Sequence, residues 1–208
     1  MSAAYVRALF DQYAGRFDAA LRTRLAYRGP ECLAAALEAA CAAGSRPLRF
    51  ARALDLGCGT GLAAPLLAPW VDRLEGVDLS PAMLAQAARL GLYAELREAE
   101  MGADLAAAEA GVYDLIAGAD ALCYVAELGQ ILGAARRALA PGGLMAVTLE
   151  THDGAGVILR DTLRFAHARA HLEAAAQAAG LAVVVLEAAS TRTEKSAPVP
   201  GLVAVLEG

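Results

Sequence analysis

Residues 53–62 read ALDLGCGTGL, an apolar strand that runs into a turn with glycine at alternate positions and then into a helix. Glycine has no Cβ and accepts positive φ, so Gly57, Gly59 and Gly61 allow a tight turn and let a ligand approach the backbone. This pattern predicts an α/β sheet with a ligand-binding loop after its first strand.

The spacing of these glycines distinguishes among the known types of nucleotide-binding loop. A dinucleotide fingerprint, G-x-G-x-x-G, would need glycine at position 62, where the chain has leucine. A phosphate-binding loop would need lysine followed by serine or threonine, and residues 62–64 supply neither. The loop therefore favours a ligand without phosphates, and a nicotinamide-dependent oxidoreductase is the weaker alternative.

An acidic residue ends the next predicted strand, within LEGVDLSP at 74–81. Ser80 is placed to cap the following helix, with Pro81 at its first position. The carboxylate of Asp78 then remains available to accept two hydrogen bonds from a ribose diol.

Short apolar runs alternate with helical segments from residue 51 onward, which predicts parallel strands joined by right-handed crossovers. A helical pattern also precedes the sheet, and we expect residues 1–44 to form N-terminal helices that act as a lid over a core at 45–208. Strands are predicted near 51–56, 73–78, 93–98, 112–118, 143–150, 181–188 and 201–207. Helices are predicted near 61–69, 81–90, 103–109, 126–139 and 166–179.

Composition limits the possible functions. The 208 residues suit one domain, 1–208, and no apolar run reaches the roughly 20 residues of a membrane span. The first residues show no export signal, so we expect a cytoplasmic protein. A formal charge of −5 argues against a nucleic-acid partner. The four scattered cysteines predict neither a metal site nor a disulfide scaffold.

Four segments in this order resemble the motifs of the class I S-adenosylmethionine-dependent methyltransferases. The segments are DLGCGTG at 55–61, GVDLS at 76–80, YDLIAGADALCYV at 113–125 and LAPGGLMAVTLE at 139–150. The resemblance implies a Rossmann-like, doubly wound sheet of seven mostly parallel strands, the last antiparallel, with helices on both faces. Residues 6–21, 164–181 and 198–207 resemble a subgroup whose relatives often carry tetratricopeptide repeats, which are absent from this sequence.

The resemblance also implies roles in binding S-adenosylmethionine. Asp55 and the loop from Gly57 to Gly61 would hold the methionine end, and Asp78 the ribose. Further residues are expected beside the adenine or the methyl group, although Met83 is equally suited to core packing. These cofactor-binding candidates are Cys58, Leu79, Met83, Glu100, Met101, Asp120 and Tyr13.

The methyl acceptor is not identified by any motif. A general base is needed if the acceptor is a neutral hydroxyl or a protonated amine, and His152, Asp153 or His167 is a candidate. Tyr124 is a candidate acceptor-site residue or a packing residue. Arg164 would hold an acidic acceptor or pair with an acidic neighbour such as Asp161.

The sequence therefore predicts methyl transfer to a small-molecule acceptor. The alternative is an accessory protein that binds S-adenosylmethionine without turnover and acts through a partner. No membrane contact is expected, and the oligomeric state is open.

Overall fold

The computed structural model describes residues 3–13 and 26–208. The described helices are α1 (Ala3–Tyr13), α2 (Gly29–Ala43), α3 (Ala64–Leu67), α4 (Pro81–Ala88), α5 (Met101–Ala107), α6 (Leu128–Ala138) and α7 (Arg169–Ala178). The strands are β1 (Phe50–Leu56), β2 (Val71–Asp78), β3 (Glu95–Glu98), β4 (Tyr113–Gly118), β5 (Leu139–Thr151), β6 (Val157–Leu159), β7 (Phe165–His167), β8 (Ala182–Ala189), β9 (Thr193–Glu194), β10 (Ala197–Pro198) and β11 (Gly201–Glu207).

The central sheet has the order β3-β2-β1-β4-β5-β11-β8. Strands β1 to β5 pair in parallel, whereas β11 runs antiparallel to both of its neighbours, as predicted. The strand order reverses between β1 and β4, and ligands of open α/β sheets bind at such a switch point, outside the carboxyl ends of the strands.

The described sheet has nine strands rather than the predicted seven. The loop after β5 forms the β6–β7 hairpin, and β7 pairs in parallel with the end of β5 at Glu150 and Thr151. The helix predicted to start at residue 166 therefore starts at Arg169. The Thr151 hydroxyl donates to the carbonyl of His167 at 2.7 Å, so packing against β5 outweighs the local helical pattern.

Helices cover both faces of the sheet and create two apolar clusters. On one face, α5, α6 and α7 contribute Leu105, Leu132 and Leu172. On the other face, α2 and α3 contribute Leu37 and Leu67. This double coverage explains why the central strands read as nearly continuous apolar runs.

A buried charge network fixes the middle of β2. The fully buried carboxylate of Glu75 accepts hydrogen bonds from Arg52 at 2.7 Å, Arg73 at 2.6 Å, Arg97 at 2.9 Å and the Tyr113 hydroxyl at 3.0 Å. Burial alone would raise the pKa of Glu75, but these donors lower it to about 2. The network joins β1, β2, β3 and β4 below the strand ends that form the site.

Within residues 3–13 and 26–208, no helix has the length and apolar character needed to cross a membrane.

Candidate active site

A cavity of about 500 Å³ lies at the carboxyl ends of β1, β2 and β4, where the strand order reverses. Most of the residues singled out in the sequence line it. They are Asp55, Gly57, Cys58, Gly59, Asp78, Leu79, Met83, Glu100, Met101, Asp120, Tyr124 and Arg164. Gly61 belongs to the same turn but is not among the lining residues.

The glycine loop adopts the conformation that its sequence predicts. Gly57, Gly59 and Gly61 have φ of +68°, +55° and +88°. A Cβ on Gly57 would lie 2.8 Å from the Cβ of Ala121, so Gly57 is required for packing. A Cβ on Gly59 would have no described atom within 4 Å, because this glycine borders the cavity.

Asp78 joins the glycine loop to the start of α4. One carboxylate oxygen accepts from the backbone N–H of Gly59 at 2.9 Å, and the other accepts from the N–H of Ser80 at 2.9 Å. The Ser80 hydroxyl caps α4, as predicted, by accepting from the N–H of Met83 at 3.1 Å. Burial raises the pKa of Asp78, while the backbone donors oppose that rise.

Asp55 is a buried carboxyl group at the floor of the cavity. It accepts a hydrogen bond from the Tyr93 hydroxyl at 2.6 Å. Burial raises the pKa of Asp55 to about 7, against the effect of the Tyr93 hydrogen bond, and the nearby charge of Asp78 adds to the rise. The group therefore changes its charge near neutral pH.

The side of the cavity next to α4 and α5 is mainly apolar. Met83 is fully buried and Leu79 is half-buried, and both line the cavity together with Met101. Glu100 is exposed and caps α5, because its carboxylate accepts from the N–H of Ala103 at 2.8 Å.

Asp120 lies at the opposite wall, two residues after β4. Its φ of +55° lies in the left-handed region, which aspartate adopts more readily than most residues. The backbone N–H donates to the Thr148 hydroxyl at 2.8 Å, and that hydroxyl donates to Asp120 Oδ1 at 3.1 Å. Asp120 Oδ2 is buried and has no hydrogen-bond partner among the described residues.

Tyr124 continues this wall from a 3-10 turn, Leu122–Tyr124. Its hydroxyl accepts from Arg164 Nη1 at 3.0 Å, and the guanidinium carbon lies 5.2 Å from the ring centre. Burial raises the pKa of Tyr124, so the phenol stays protonated at neutral pH. Arg164 pairs through Nε with the buried Glu150, not with Asp161.

Helix α1 contributes Val6, Leu9 and Phe10 to the cavity wall. The ring of Phe10 packs edge-on against Tyr124, with 5.4 Å between ring centres. The Ser80 hydroxyl donates to the carboxylate of Asp11 at 2.5 Å. Helix α1 thus contacts both walls. The side chain of Tyr13, and residues 14–25 of the predicted lid, lie outside the described part of the structure.

Three candidate bases are not among the lining residues. The ring nitrogens of His152 bond to its own turn, at the N–H of Gly154 and the carbonyl of Gly156. Asp153 is exposed. His167 is buried in β7, not at a helix start, and its Nε2 lies 3.0 Å from the carbonyl of Val125. Burial and the stacked ring of His171 lower the pKa of His167 to about 4.

Sequence reasoning missed several lining residues. Tyr27 precedes α2 and lines the cavity, with its hydroxyl 3.5 Å from the carbonyl of Ala119. Glu194 and Thr162 reach the cavity from the late part of the chain. No local pattern marks these positions, because each lies far along the chain from the glycine loop.

Residues 54–147, the segment that contains the glycine loop, Asp78 and Asp120, match the model of the methyltransferase domain family. Residues 54–147 therefore form a methyltransferase domain, and S-adenosylmethionine is the cofactor of the class I methyltransferases that its motifs resemble.

Particular relatives support this assignment. Methyltransferase-like protein 27 of Homo sapiens is 36% identical over 151 residues, which cover 69% of this chain and 57% of that protein. Trans-aconitate 2-methyltransferase of Pseudomonas aeruginosa is 40% identical over 97 residues, which cover 46% of this chain and 34% of that protein. This chain thus spans about half or less of these curated relatives.

A solved structure shares the fold. The 1,6-didemethyltoxoflavin-N1-methyltransferase of Burkholderia thailandensis, with bound 1,6-didemethyltoxoflavin and S-adenosylhomocysteine, superposes with a TM-score of 0.74. The match covers 99% of this chain and 88% of that chain at 19% sequence identity, and it establishes the fold alone.

Proposed function

We propose that this protein transfers a methyl group from S-adenosylmethionine to a small-molecule acceptor. The observation that best supports the proposal is that a single cavity is bounded by two walls with different residues. The glycine loop and Asp78 form one wall, and Asp120 and Tyr124 form the other. Its volume of about 500 Å³ lies within the range of small-molecule sites.

The residues on the first wall fit the cofactor. The space beside Gly59 lets a ligand lie against the backbone, and the carboxylate of Asp78 suits the ribose hydroxyls. The ionised carboxylate of Asp55 would neutralise the ammonium group at the methionine end of the cofactor. Met83, Leu79 and Met101 offer an apolar surface to the adenine.

The main contribution of this chain to the reaction is to position the cofactor and the acceptor. S-Adenosylmethionine supplies a methyl group on a sulfonium, and a nucleophilic atom of the acceptor takes that methyl group by in-line displacement. Holding two reactants at the correct angle and distance contributes roughly 7–11 kcal/mol. We assign this role to the rigid walls at Asp120 and Tyr124.

Proton removal, where the acceptor requires it, is assigned to Asp120. Tyr124 is a protonated hydrogen-bonding group rather than a base, because burial raises its pKa. His152, Asp153 and His167 are not among the cavity-lining residues. Asp120 Oδ2 is a buried carboxylate oxygen without a described partner, so it can accept an O–H or N–H from the acceptor.

Helix α1 is proposed as the lid. It contributes to the cavity wall and reaches both sides through Phe10 and Asp11. An additional ion pair joins Arg7 to Glu98, with 2.7 Å between the charged atoms. Both side chains of this ion pair are largely exposed, and we propose that α1 detaches to admit ligands.

The acceptor class rests on the cavity and on the names of related enzymes, which specify small molecules. The tetratricopeptide-related subgroup, the single-domain organisation and the cytoplasmic location remain predictions. The accessory-protein alternative predicts cofactor binding without transfer to any acceptor.

Calorimetric titration with S-adenosylmethionine, S-adenosylhomocysteine and NAD tests the cofactor. We expect the first two to bind and NAD not to bind. A screen of small molecules with methyl-labelled S-adenosylmethionine tests the transfer. Label in a product would support the enzyme, and cofactor binding without any labelled product would favour the accessory role.

A further inference from the structure

We propose that the acceptor carries an oxyanion group, a carboxylate or a phosphate, and that Arg164 binds it at the acceptor end of the cavity. This inference rests on the proposed function and specifies its substrate class. It depends on the contacts of Arg164 and on the charges packed behind it.

Arg164 has unused hydrogen-bond donors. A guanidinium has five N–H groups. Nε donates to Glu150 and Nη1 donates to the Tyr124 hydroxyl, which leaves three N–H groups. Nη2 is buried and has no described partner. Unpaired buried donors are costly, and an oxyanion is the group that an arginine fork binds best.

Arg164 belongs to a cluster of charged side chains around Glu150. The buried Glu150 is shared by three arginines: Arg164, Arg192 at 2.7 Å and Arg160 at 3.3 Å. Arg192 also pairs with Glu194 at 2.5 Å. Three arginines thus pair with two carboxylates, and Asp120 is a third carboxylate whose charge also raises the pKa of Arg164.

This cluster of charged side chains lies at the cavity rather than in solvent. Arg192 is only 4% exposed, and the side chain of Arg164 is 16% exposed. Arg164 and Glu194 both line the cavity. Asp120 lines it too and its charge raises the pKa of Arg164, but it forms no hydrogen bond with the guanidinium among the described residues. The open donors of Arg164 Nη2 therefore need acceptor atoms, which the oxyanion of an acceptor molecule would supply.

The surface next to Arg164 is suited to the rest of such a molecule. Tyr124 and Phe10 present aromatic rings, and Leu9 and Val125 add apolar area. An acceptor with one anionic end and an apolar or aromatic body would satisfy both parts of this wall. The matching probes are benzoate and phenyl phosphate, with benzamide as the neutral analogue.

The experiment uses Arg164→Met, Arg164→Lys and a control, Arg169→Met. Arg169 lies on α7 and forms an exposed pair with Glu173, so its loss removes an arginine away from the cavity. Thermal unfolding first establishes that each variant is folded. Calorimetric titration then measures S-adenosylhomocysteine, followed by each probe on the S-adenosylhomocysteine-loaded protein.

We expect at least one oxyanion to bind the wild type at least tenfold more tightly than benzamide, which corresponds to about 1.4 kcal/mol. Arg164→Met should abolish this preference without changing affinity for S-adenosylhomocysteine, and Arg169→Met should retain it. Arg164→Lys should keep a reduced preference, because lysine keeps the charge but lacks the planar fork. It provides the test if the methionine variant does not fold. The preferred oxyanion distinguishes carboxylate from phosphate recognition.

Three results would overturn the inference: equal binding of oxyanions and benzamide, no oxyanion binding, or an undiminished preference in folded Arg164 variants. Weaker S-adenosylhomocysteine binding in Arg164→Met would also overturn it, because Arg164 would then hold the cofactor's own carboxylate. Failure of the wild type to bind S-adenosylhomocysteine would instead reject the proposed function.

Discussion

Replacing Gly59 with alanine separates the conformational role of the glycine loop from its ligand-binding role. Gly59 has φ of +55°, so alanine would adopt the left-handed region at a cost of about 1–2 kcal/mol. The added methyl group would have no described atom within 4 Å and would occupy cavity space instead. Gly59→Ala should therefore fold, with reduced stability and blocked access to the backbone.

Gly180→Ala is the matched control. Gly180 has φ of +74°, its Cβ would also meet no described atom within 4 Å, and it is not a lining residue. Both substitutions should lower the unfolding free energy by about 1–2 kcal/mol in denaturant titrations. Only Gly59→Ala should weaken S-adenosylhomocysteine binding, by at least tenfold or about 1.4 kcal/mol in calorimetry.

Unchanged affinity in a folded Gly59→Ala variant would refute this reasoning, because the cofactor would then not approach the loop. Equal weakening by Gly180→Ala would refute it as well, since the effect would reflect general destabilisation.

Three further substitutions test the site and the fold. In Asp78→Asn the side-chain NH2 must face the backbone N–H of Gly59 or of Ser80, where no acceptor is present. Calorimetry should therefore show S-adenosylhomocysteine affinity at least tenfold lower. Retained affinity would remove the ribose assignment. The pKa of Asp55 is about 7, and its ionised form is the one expected to bind the cofactor, so S-adenosylmethionine affinity should rise roughly eightfold from pH 6 to 7.5. The same rise of affinity with pH in Asp55→Asn would contradict the role of this carboxyl. The pKa of His167 is about 4 in the folded state, below the ordinary histidine value of 6.5, so its contribution to stability is complete above pH 6.5 and is lost as the pH falls towards 4. Denaturant titration should show a loss of about 2 kcal/mol by pH 5 that is absent in His167→Gln, and an identical loss in that variant would assign it to other groups.

The motif-bearing half of the fold was predictable because its signals are local. The strand before Gly57, the acidic end of β2 and the cap at Ser80 each depend on neighbours within a few residues, and the structure has all three. Parallel strands also bring their carboxyl ends to one edge, so Asp55 and Asp78 were expected to lie together.

The acceptor side was not predictable in the same way. Arg164 pairs with Glu150 fourteen positions away, and Arg192 reaches the same carboxylate from forty-two positions away. The β6–β7 hairpin forms because β7 can pair with the end of β5, which no periodicity in residues 151–167 indicates. His152 looked like a ligand-site histidine but is held in its own turn.

The most direct test of the central claim is an experimental structure with S-adenosylhomocysteine bound. We expect the ribose hydroxyls within hydrogen-bond distance of Asp78 and the amino-acid part of the ligand against the loop from Gly57 to Gly61. Ligand density elsewhere, or none in crystals soaked at saturating concentration, would contradict the assignment of this cavity.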